Sequence, residues 1–222
     1  MSANRESEGS RIQRRRLAQA LRDLSAEVVA SDAPDEMFLE AAETAEAFAE
    51  RLRAEPRRVR TVATSLEEEI RIEGERYHYG DLLDFSPLAG AANPLAPPMI
   101  VRKEDDATLV GTVTFSAAYE GGPGLVHGGY VAASFDEFLG LTQSLTGEAG
   151  MTAKLTVRYR SPCPLQTELR MEGKVHKIEG RRIVAKGTMH AGERLVADGE
   201  ATFIVLENDV YKKKVSRFGE EK

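Results

Sequence analysis

The residues of this chain best placed to do chemistry fall within positions 123–141, which read PGLVHGGYVAASFDEFLGL. A His127-Gly128-Gly129 triplet opens an almost wholly apolar run that carries one short carboxylate, Asp136. Glycines at the mouth of a helix leave backbone N–H groups open, and unpaired amides together with the helix dipole favour negative charge. Such amides can hold a developing oxyanion, and losing one donor costs on the order of a hundredfold or more in rate. Asp136 offers a nucleophile or a general base. A helix apolar on all sides is normally buried, and a buried Asp is expensive unless it is paired or used. The competing structural reading is that the glycines serve only close packing.

Distance limits how these groups can cooperate. At a rise of about 1.5 Å per residue, the eight steps from Gly128 to Asp136 span roughly 12 Å. One substrate carbon cannot meet both, because attack requires contact at about 3–3.5 Å. If both are catalytic, Asp136 must come from a second copy whose helix runs antiparallel to the first, giving a two-fold dimer with two equivalent sites. Glu137 points about 100° away from Asp136 around the helix and is expected at the helix edge or in a salt bridge. His127 is read as a loop-orienting cap, with acid–base chemistry as the alternative. His78, His176 and His190 are scattered, and no His or Cys lies at ligand spacing from His127, so no metal site is expected.

The elements that must position these groups follow from periodicity. Leu17, Leu21, Leu24 and Val28 recur at helical spacing over residues 11–29, with arginines on the other face. A second helix after Ser31, Asp32, Ala33 and Pro34 carries Phe38, Ala41, Ala45, Phe48 and Leu52 as a stripe that packs against another surface. This extension is expected to cover the core or lengthen a dimer interface, the alternative being a partner-binding arm. Residues 61–79 show no firm pattern. SPLAGAANPLAPP, residues 86–98, is a linker or a strap over a pocket mouth. Residues 99–103 and 108–117 read as a hairpin, 128–145 as the central helix, and 151–159, 168–178, 181–190 and 194–206 as four meandering strands. Along 151–159 the alternation sets Thr152, Lys154, Thr156 and Arg158 on one face. One apolar helix among so many strands indicates an α+β fold, an antiparallel sheet wrapped around that helix. The boundaries expected are a helical extension 1–60, a connecting segment 61–98, the core domain 99–207 and a charged tail 208–222.

Composition narrows the function class. With 222 residues, a net charge of −6 and no basic cluster interleaved with aromatics, nothing recommends a nucleic-acid surface. No apolar run reaches the roughly 18 residues of a membrane span. The single cysteine, Cys163, sits in SPCP and is read as structural in a reducing compartment. The arginine-bearing N-terminus has no apolar signal core, so a cytoplasmic location is expected.

Taken together, PGLVHGGYVAASFDEFLG, then TAKLTVRYRSPCPL, then KIEGRR and a final apolar strand resemble the hotdog-fold acyl-CoA thioesterases of the phenylacetate-degradation type, including the mammalian thioesterase-superfamily members. The resemblance covers about residues 93–206 and leaves the N-terminal helices outside. It implies that Gly128, with His127 beside it, polarises the thioester carbonyl. It implies that Asp136 attacks that carbonyl or activates water, and that Thr152 orients the nucleophile. Asp136 and Thr152 would then lie across a dimer interface from the glycine. Some members carry an Asn where this chain has Glu120, Gly121 and Gly122, so one carbonyl-polarising group of those members is missing. A thiolate whose parent thiol has a pKa of about 8.5 leaves without a strong acid, so no cofactor is required. Gly129 joins the substrate-binding candidates. Coenzyme A phosphates would need cations, for which Arg158, Arg160, Arg181 and Arg182 are the candidates. The rival reading is a non-catalytic hotdog protein that binds acyl-CoA or a protein partner. Tyr130, Phe135 and Phe138 are candidates to set acyl size, against a structural reading as core.

Overall fold

The computed structural model describes residues 8–57, 70–73, 76–79, 81–105, 107–148 and 150–205. The expectations made for the charged tail and for most of the 61–79 stretch lie outside these residues. The chain runs α1 (Glu8–Ala30), α2 (Asp35–Arg53), β1 (Ile70–Glu73), β2 (Arg76–Tyr79), α3 (Asp81–Asp84), β3 (Ile100–Lys103), β4 (Thr108–Thr114), α4 (Gly128–Gln143), β5 (Gly150–Tyr159), β6 (Glu168–Glu179), β7 (Arg182–Ala191) and β8 (Arg194–Val205). The strands form one antiparallel sheet in the order β1-β2-β3-β4-β6-β7-β8-β5. The four strands after the central helix are therefore not a simple meander. β5 pairs with β8 instead of β6, because α4 crosses the sheet and delivers the chain to the edge opposite β4.

The sheet takes α4 into a trough cut by glycine. Gly173 on β6 pairs with Gly187 on β7, which pairs with Gly199 on β8. A Cβ at Gly199 would lie 2.5 Å from Phe135 Cδ1, and one at Gly187 would lie 3.1 Å from Leu139 Cδ2. Lacking those carbons, three neighbouring strands let Phe135, Phe138 and Leu139 sink to zero exposure beside Leu109, Met171, Ile183 and Phe203. This burial is the main cohesive force of the domain, at roughly 1.5–3 kcal/mol per large apolar side chain. Helix α4 ends in a 3-10 turn, Ser144–Thr146, and is closed by Gly147 at φ 75°.

A bulge in β5 alters which way Thr152 points. Thr152 pairs with Phe203 and Lys154 with Thr202, so Ala153 is the extra residue. The insertion reverses the alternation upstream of it. Thr152 therefore leaves the face shared by Lys154, Thr156 and Arg158 and turns to the helix side beside Phe203.

The N-terminal helices pack differently from the pattern their leucines suggest. Helix α1 buries Ala18 and Arg22, not its apolar stripe. Arg22 Nη1 donates to the carbonyls of Asn93 (2.8 Å) and Ala91 (3.3 Å), and Arg15 Nε to Asp84 (2.9 Å). The residues they grip belong to the 86–98 segment and its approach, which is an ordered strap with Ala89, Ala92 and Ala96 buried. Helix α2 buries nothing, so within one chain its stripe does not cover the core.

Candidate active site

The mouth of α4 is held by backbone from three distant parts of the chain. Glu120 and Val126 form a bridge, and Gly121 is required there because a Cβ would come within 2.7 Å of His127 Cα. His127 N donates to Tyr119 O and Val126 N to Cys163 O, both at 2.9 Å. From β5, Tyr159 Oη donates to Gly128 O at 2.8 Å. This scaffold fixes the first turn of α4 before any ligand arrives.

His127 is the N-cap, and its Nδ1 accepts from Gly129 N at 3.0 Å. Two consequences follow. The neutral ring carries its proton on Nε2, and the amide of Gly129 is occupied, so it is not the open donor that the sequence suggests. Tyr130 N and Val131 N turn back to His127 O. The amide of Gly128 makes no hydrogen bond among the described residues and sits at a partly exposed helix start. One oriented N–H is therefore open at this mouth, where the dipole favours negative charge.

Two turns along, Asp136 is half-buried, and no described side chain hydrogen-bonds to it. Among the described residues Glu137 makes no salt bridge, which differs from one of the two places expected for it. It lies beneath the strap, where the nearby Ser86 hydroxyl favours the charged form of its carboxylate, and its Oε1 is buried without a hydrogen-bond partner among the described residues. Burial pushes the Glu137 carboxyl above its ordinary value, the nearby Ser86 hydroxyl works against this, and the charge of neighbouring Asp136 adds to it. The same Ser86 hydroxyl accepts from Leu88 N and Ala89 N, at 3.1 and 3.2 Å, which shapes the strap itself. Sequence patterning could not reveal this contact, because Ser86 and Glu137 are 51 positions apart.

The remaining candidates divide into groups. Thr152 is exposed on β5 and makes no hydrogen bond to Asp136 of its own chain. Arg158 and Arg160 both pair with Asp198, Arg158 Nη1 at 3.5 Å. Arg182 stands opposite Ile204 while Thr188 stands opposite Asp198. Six residues of strand therefore separate the two arginine pairs by about 20 Å. The four arginines do not form one cluster within a protomer. Tyr130 lies edge-on to Tyr119 at 4.8 Å, and Phe135 and Phe138 are fully buried core. Cys163 is buried, and burial raises its thiol to about 11. It is therefore protonated, and a poor nucleophile, at neutral pH. Tyr119 is raised to about 12, again by burial, with its hydroxyl on Leu95 O at 3.1 Å. Among the described residues no group of three or more His, Cys, Asp or Glu is arranged to hold a metal, and no helix is long and apolar enough to cross a membrane.

Comparison with known proteins places this geometry. Residues 123–197, from the α4 mouth into β8, match the family model of the Thioesterase superfamily. The chain is 34% identical over 87 residues to Acyl-coenzyme A thioesterase THEM4 of Xenopus laevis, covering 39% of each. It is 30% identical over 114 residues to the THEM4 protein of Bos taurus, covering 51% of this chain and 47% of that one. The chain spans less than half the length of these curated relatives. A crystal structure described as a thioesterase superfamily protein superposes with a TM-score of 0.71 at 29% identity, covering 86% of this chain and 90% of that one. The fold is a hotdog fold with an N-terminal helical part, and the resemblance to hotdog thioesterases read from residues 123–141 and the strands beyond is borne out.

Proposed function

We propose that this protein hydrolyses an acyl-CoA thioester to a carboxylic acid and free coenzyme A, at two equivalent sites on a two-fold dimer. The observation that carries the reading is the pairing on one helix of an open amide, Gly128, with an unpartnered carboxylate, Asp136, about 12 Å apart. Neither can complete a site alone, and an antiparallel second helix brings each to the other. The match to the Thioesterase superfamily over 123–197 and the names of the curated relatives support the chemistry.

In this reading Asp136 of one protomer attacks the thioester carbonyl, or removes a proton from the water that does. The carbonyl oxygen becomes an oxyanion bound to Gly128 N of the other protomer, where the helix dipole adds its stabilisation. The C–S bond then breaks and the thiolate leaves. In the general-base route it takes the proton that Asp136 removed from the water. In the nucleophilic route a water cleaves the acyl–Asp136 anhydride, releasing the carboxylic acid and regenerating Asp136, with the water's proton passing to the thiolate. His127 keeps the mouth open by capping, and Gly129 supports it. Thr152, which the β5 bulge sets in register with Phe203, orients the nucleophile. Coenzyme A phosphates draw on one arginine pair or the other, Arg158 with Arg160 or Arg181 with Arg182, because the pairs lie too far apart to act together in one protomer.

Complementation tests both halves of the proposal. Asp136→Asn removes the carboxylate, and Gly128→Pro removes the amide. Proline suits the first helical position, and His127, at φ −59° and ψ 129°, is already in the region that precedes proline. Each variant alone is expected to lose nearly all release of free thiol from an acyl-CoA while remaining dimeric. Mixed one to one with exchange of subunits, half the dimers are heterodimers with one intact site of two, so about a quarter of wild-type activity should return. If the mixture stays inactive although heterodimers form, the trans site is wrong. If Asp136→Asn alone stays active, the mechanism is wrong.

A further inference from the structure

Hydrogen bonds flank the open amide of the α4 mouth on both sides. Before Gly128, the carbonyl of His127 accepts from Tyr130 N at 2.9 Å and from Val131 N at 3.4 Å. After it, the peptide that joins Gly128 to Gly129 is held at both ends by side chains. Tyr159 Oη donates to Gly128 O at 2.8 Å, and Gly129 N donates to His127 Nδ1 at 3.0 Å. Glycine leaves the backbone freer than any other residue, so an N–H at a glycine pair keeps one direction only when the peptides beside it are pinned. His127 pins them from within the turn. Tyr159 does so from the far end of β5, 31 positions along the chain.

Packing does not account for this tyrosine. Its side chain is 57% exposed and lies outside the buried cluster beneath α4. As the first residue of α4, Gly128 already turns its carbonyl to the helix's own hydrogen-bond ladder, so the fold does not require the phenol. The ring and hydroxyl both lie 3.5 Å from where a Gly128 Cβ would stand, an ordinary contact, so the whole side chain bears on this one residue. We infer that Tyr159 is a positioning residue for the reaction, acting through Gly128 of its own protomer by holding the 128–129 peptide so that the Gly128 N–H faces the developing oxyanion. The inference deepens the thioester hydrolysis proposed above and rests on it. A preorganised donor needs no reorientation as charge develops, and a misplacement of about 1 Å costs up to about a hundredfold. The oxyanion forms only on the way to the transition state, so lost aim falls on kcat and not on KM.

Tyr159→Phe keeps the ring and removes the hydroxyl. In the otherwise wild-type protein it should lower kcat for thiol release from an acyl-CoA about tenfold or more while KM stays within about twofold. An unchanged kcat, or a rise in KM alone, overturns the inference. Subunit mixing then separates positioning from general loosening. In the heterodimer of Asp136→Asn with Gly128→Pro, the intact site takes its Gly128 from the Asp136→Asn chain and its Asp136 from the other. Tyr159→Phe added to the Asp136→Asn chain should cut the recovered activity by the same factor as in the homodimer. Added to the Gly128→Pro chain, whose mouth is already inactive, it should cost nothing further. Equal losses in both placements would mean that Tyr159 serves the fold or the dimer, and a loss confined to the Gly128→Pro chain would put it on the Asp136 side. Either result refutes the assignment. If the mixture without Tyr159→Phe recovers no activity, the composite two-fold site falls, and the homodimer kinetics still decide the role of Tyr159.

Discussion

The trough beneath α4 offers the most direct test of how this sequence makes its fold. At Gly199 on β8 an added Cβ would stand 2.5 Å from Phe135 Cδ1 and 3.0 Å from both Cε1 and Cγ. Ordinary carbon contacts lie at 3.4–4 Å, so the methyl overlaps the ring by roughly 1 Å along one edge. Phe135 cannot swing aside, because it has no exposure and belongs to the same packed cluster as Phe138, Leu139 and Phe203. The helix must lift or the strand must bow. Overpacking of this kind costs about 1–3 kcal/mol, which for a chain of this size lowers Tm by about 2–4 °C per kcal/mol.

Gly199→Ala is therefore expected to reduce Tm by about 2–12 °C in thermal unfolding followed by circular dichroism. Gly122→Ala supplies the control, since a Cβ there meets nothing within 4 Å, and it should leave stability within about 0.5 kcal/mol of wild type. The decisive measurement is the double variant. Phe135→Leu alone opens a cavity and destabilises, but in the Gly199→Ala background the missing ring edge relieves the clash. The second substitution should cost less there than in wild type, a coupling of at least about 0.5 kcal/mol. If Gly199→Ala behaves like Gly122→Ala, or if the two effects simply add, the glycine trough is not what seats the helix.

Other outcomes follow from single contacts. Burial raises the Glu137 carboxyl, so the folded state binds its proton more tightly than the unfolded chain does. Its contribution is fully present below the ordinary Glu value of about 4.3 and is lost as pH rises through the raised one. Glu137→Gln should raise Tm near pH 7–8 and leave it little changed near pH 4, and an equal shift at both would refute the assignment. Tyr159→Phe removes the bond to Gly128 O and should cost about 0.5–1.5 kcal/mol. Under the proposed mechanism it should also lower kcat more than it raises KM. Arg15→Ala leaves Asp84, 1% exposed, without its 2.9 Å partner, a loss of about 1–3 kcal/mol. Adding Asp84→Asn should recover part of that loss in urea unfolding.

What could be read from the sequence is what depends on local pattern. The helix mouth at His127–Gly129 is legible because a glycine pair running into an apolar stretch leaves few alternatives to a helix start, and the strands alternate clearly enough to find. Three features resisted for a physical reason. The bulge at Ala153 leaves no compositional mark, yet it decides which face Thr152 occupies. Gly129 looks as open as Gly128, but a hydrogen bond from its amide to the His127 ring closes it. The α1 leucines imply a buried stripe, whereas buried guanidinium bonds to strap carbonyls set the roll of the helix instead. Each depends on a partner that sequence spacing does not specify. The absence of Asn near Glu120 is equally plain, and in the folded chain that stretch forms the 120–126 bridge that holds the mouth in place.

The way the chain closes around α4 determines where a partner can approach. After β5 the segment 160–167 crosses back beneath the mouth, with Arg160 N and Ser161 N on Val196 O, Cys163 O receiving Val126 N, and Gln166 N on Phe115 O at 2.8 Å. The strap closes the helix further along through Ser86 and Glu137, and the sheet closes it from below through the glycine trough. Among the described residues one flank stays open. β5 is the last strand of the sheet, none of its residues is buried, and its free edge runs beside α4. An unpaired edge of ten residues is a standing invitation to another strand. A second β5 laid antiparallel on it would turn the partner's α4 end for end. That operation would set Asp136 of one helix toward Gly128 of the other, so under the proposed mechanism the unpaired edge and the composite site would share one two-fold axis.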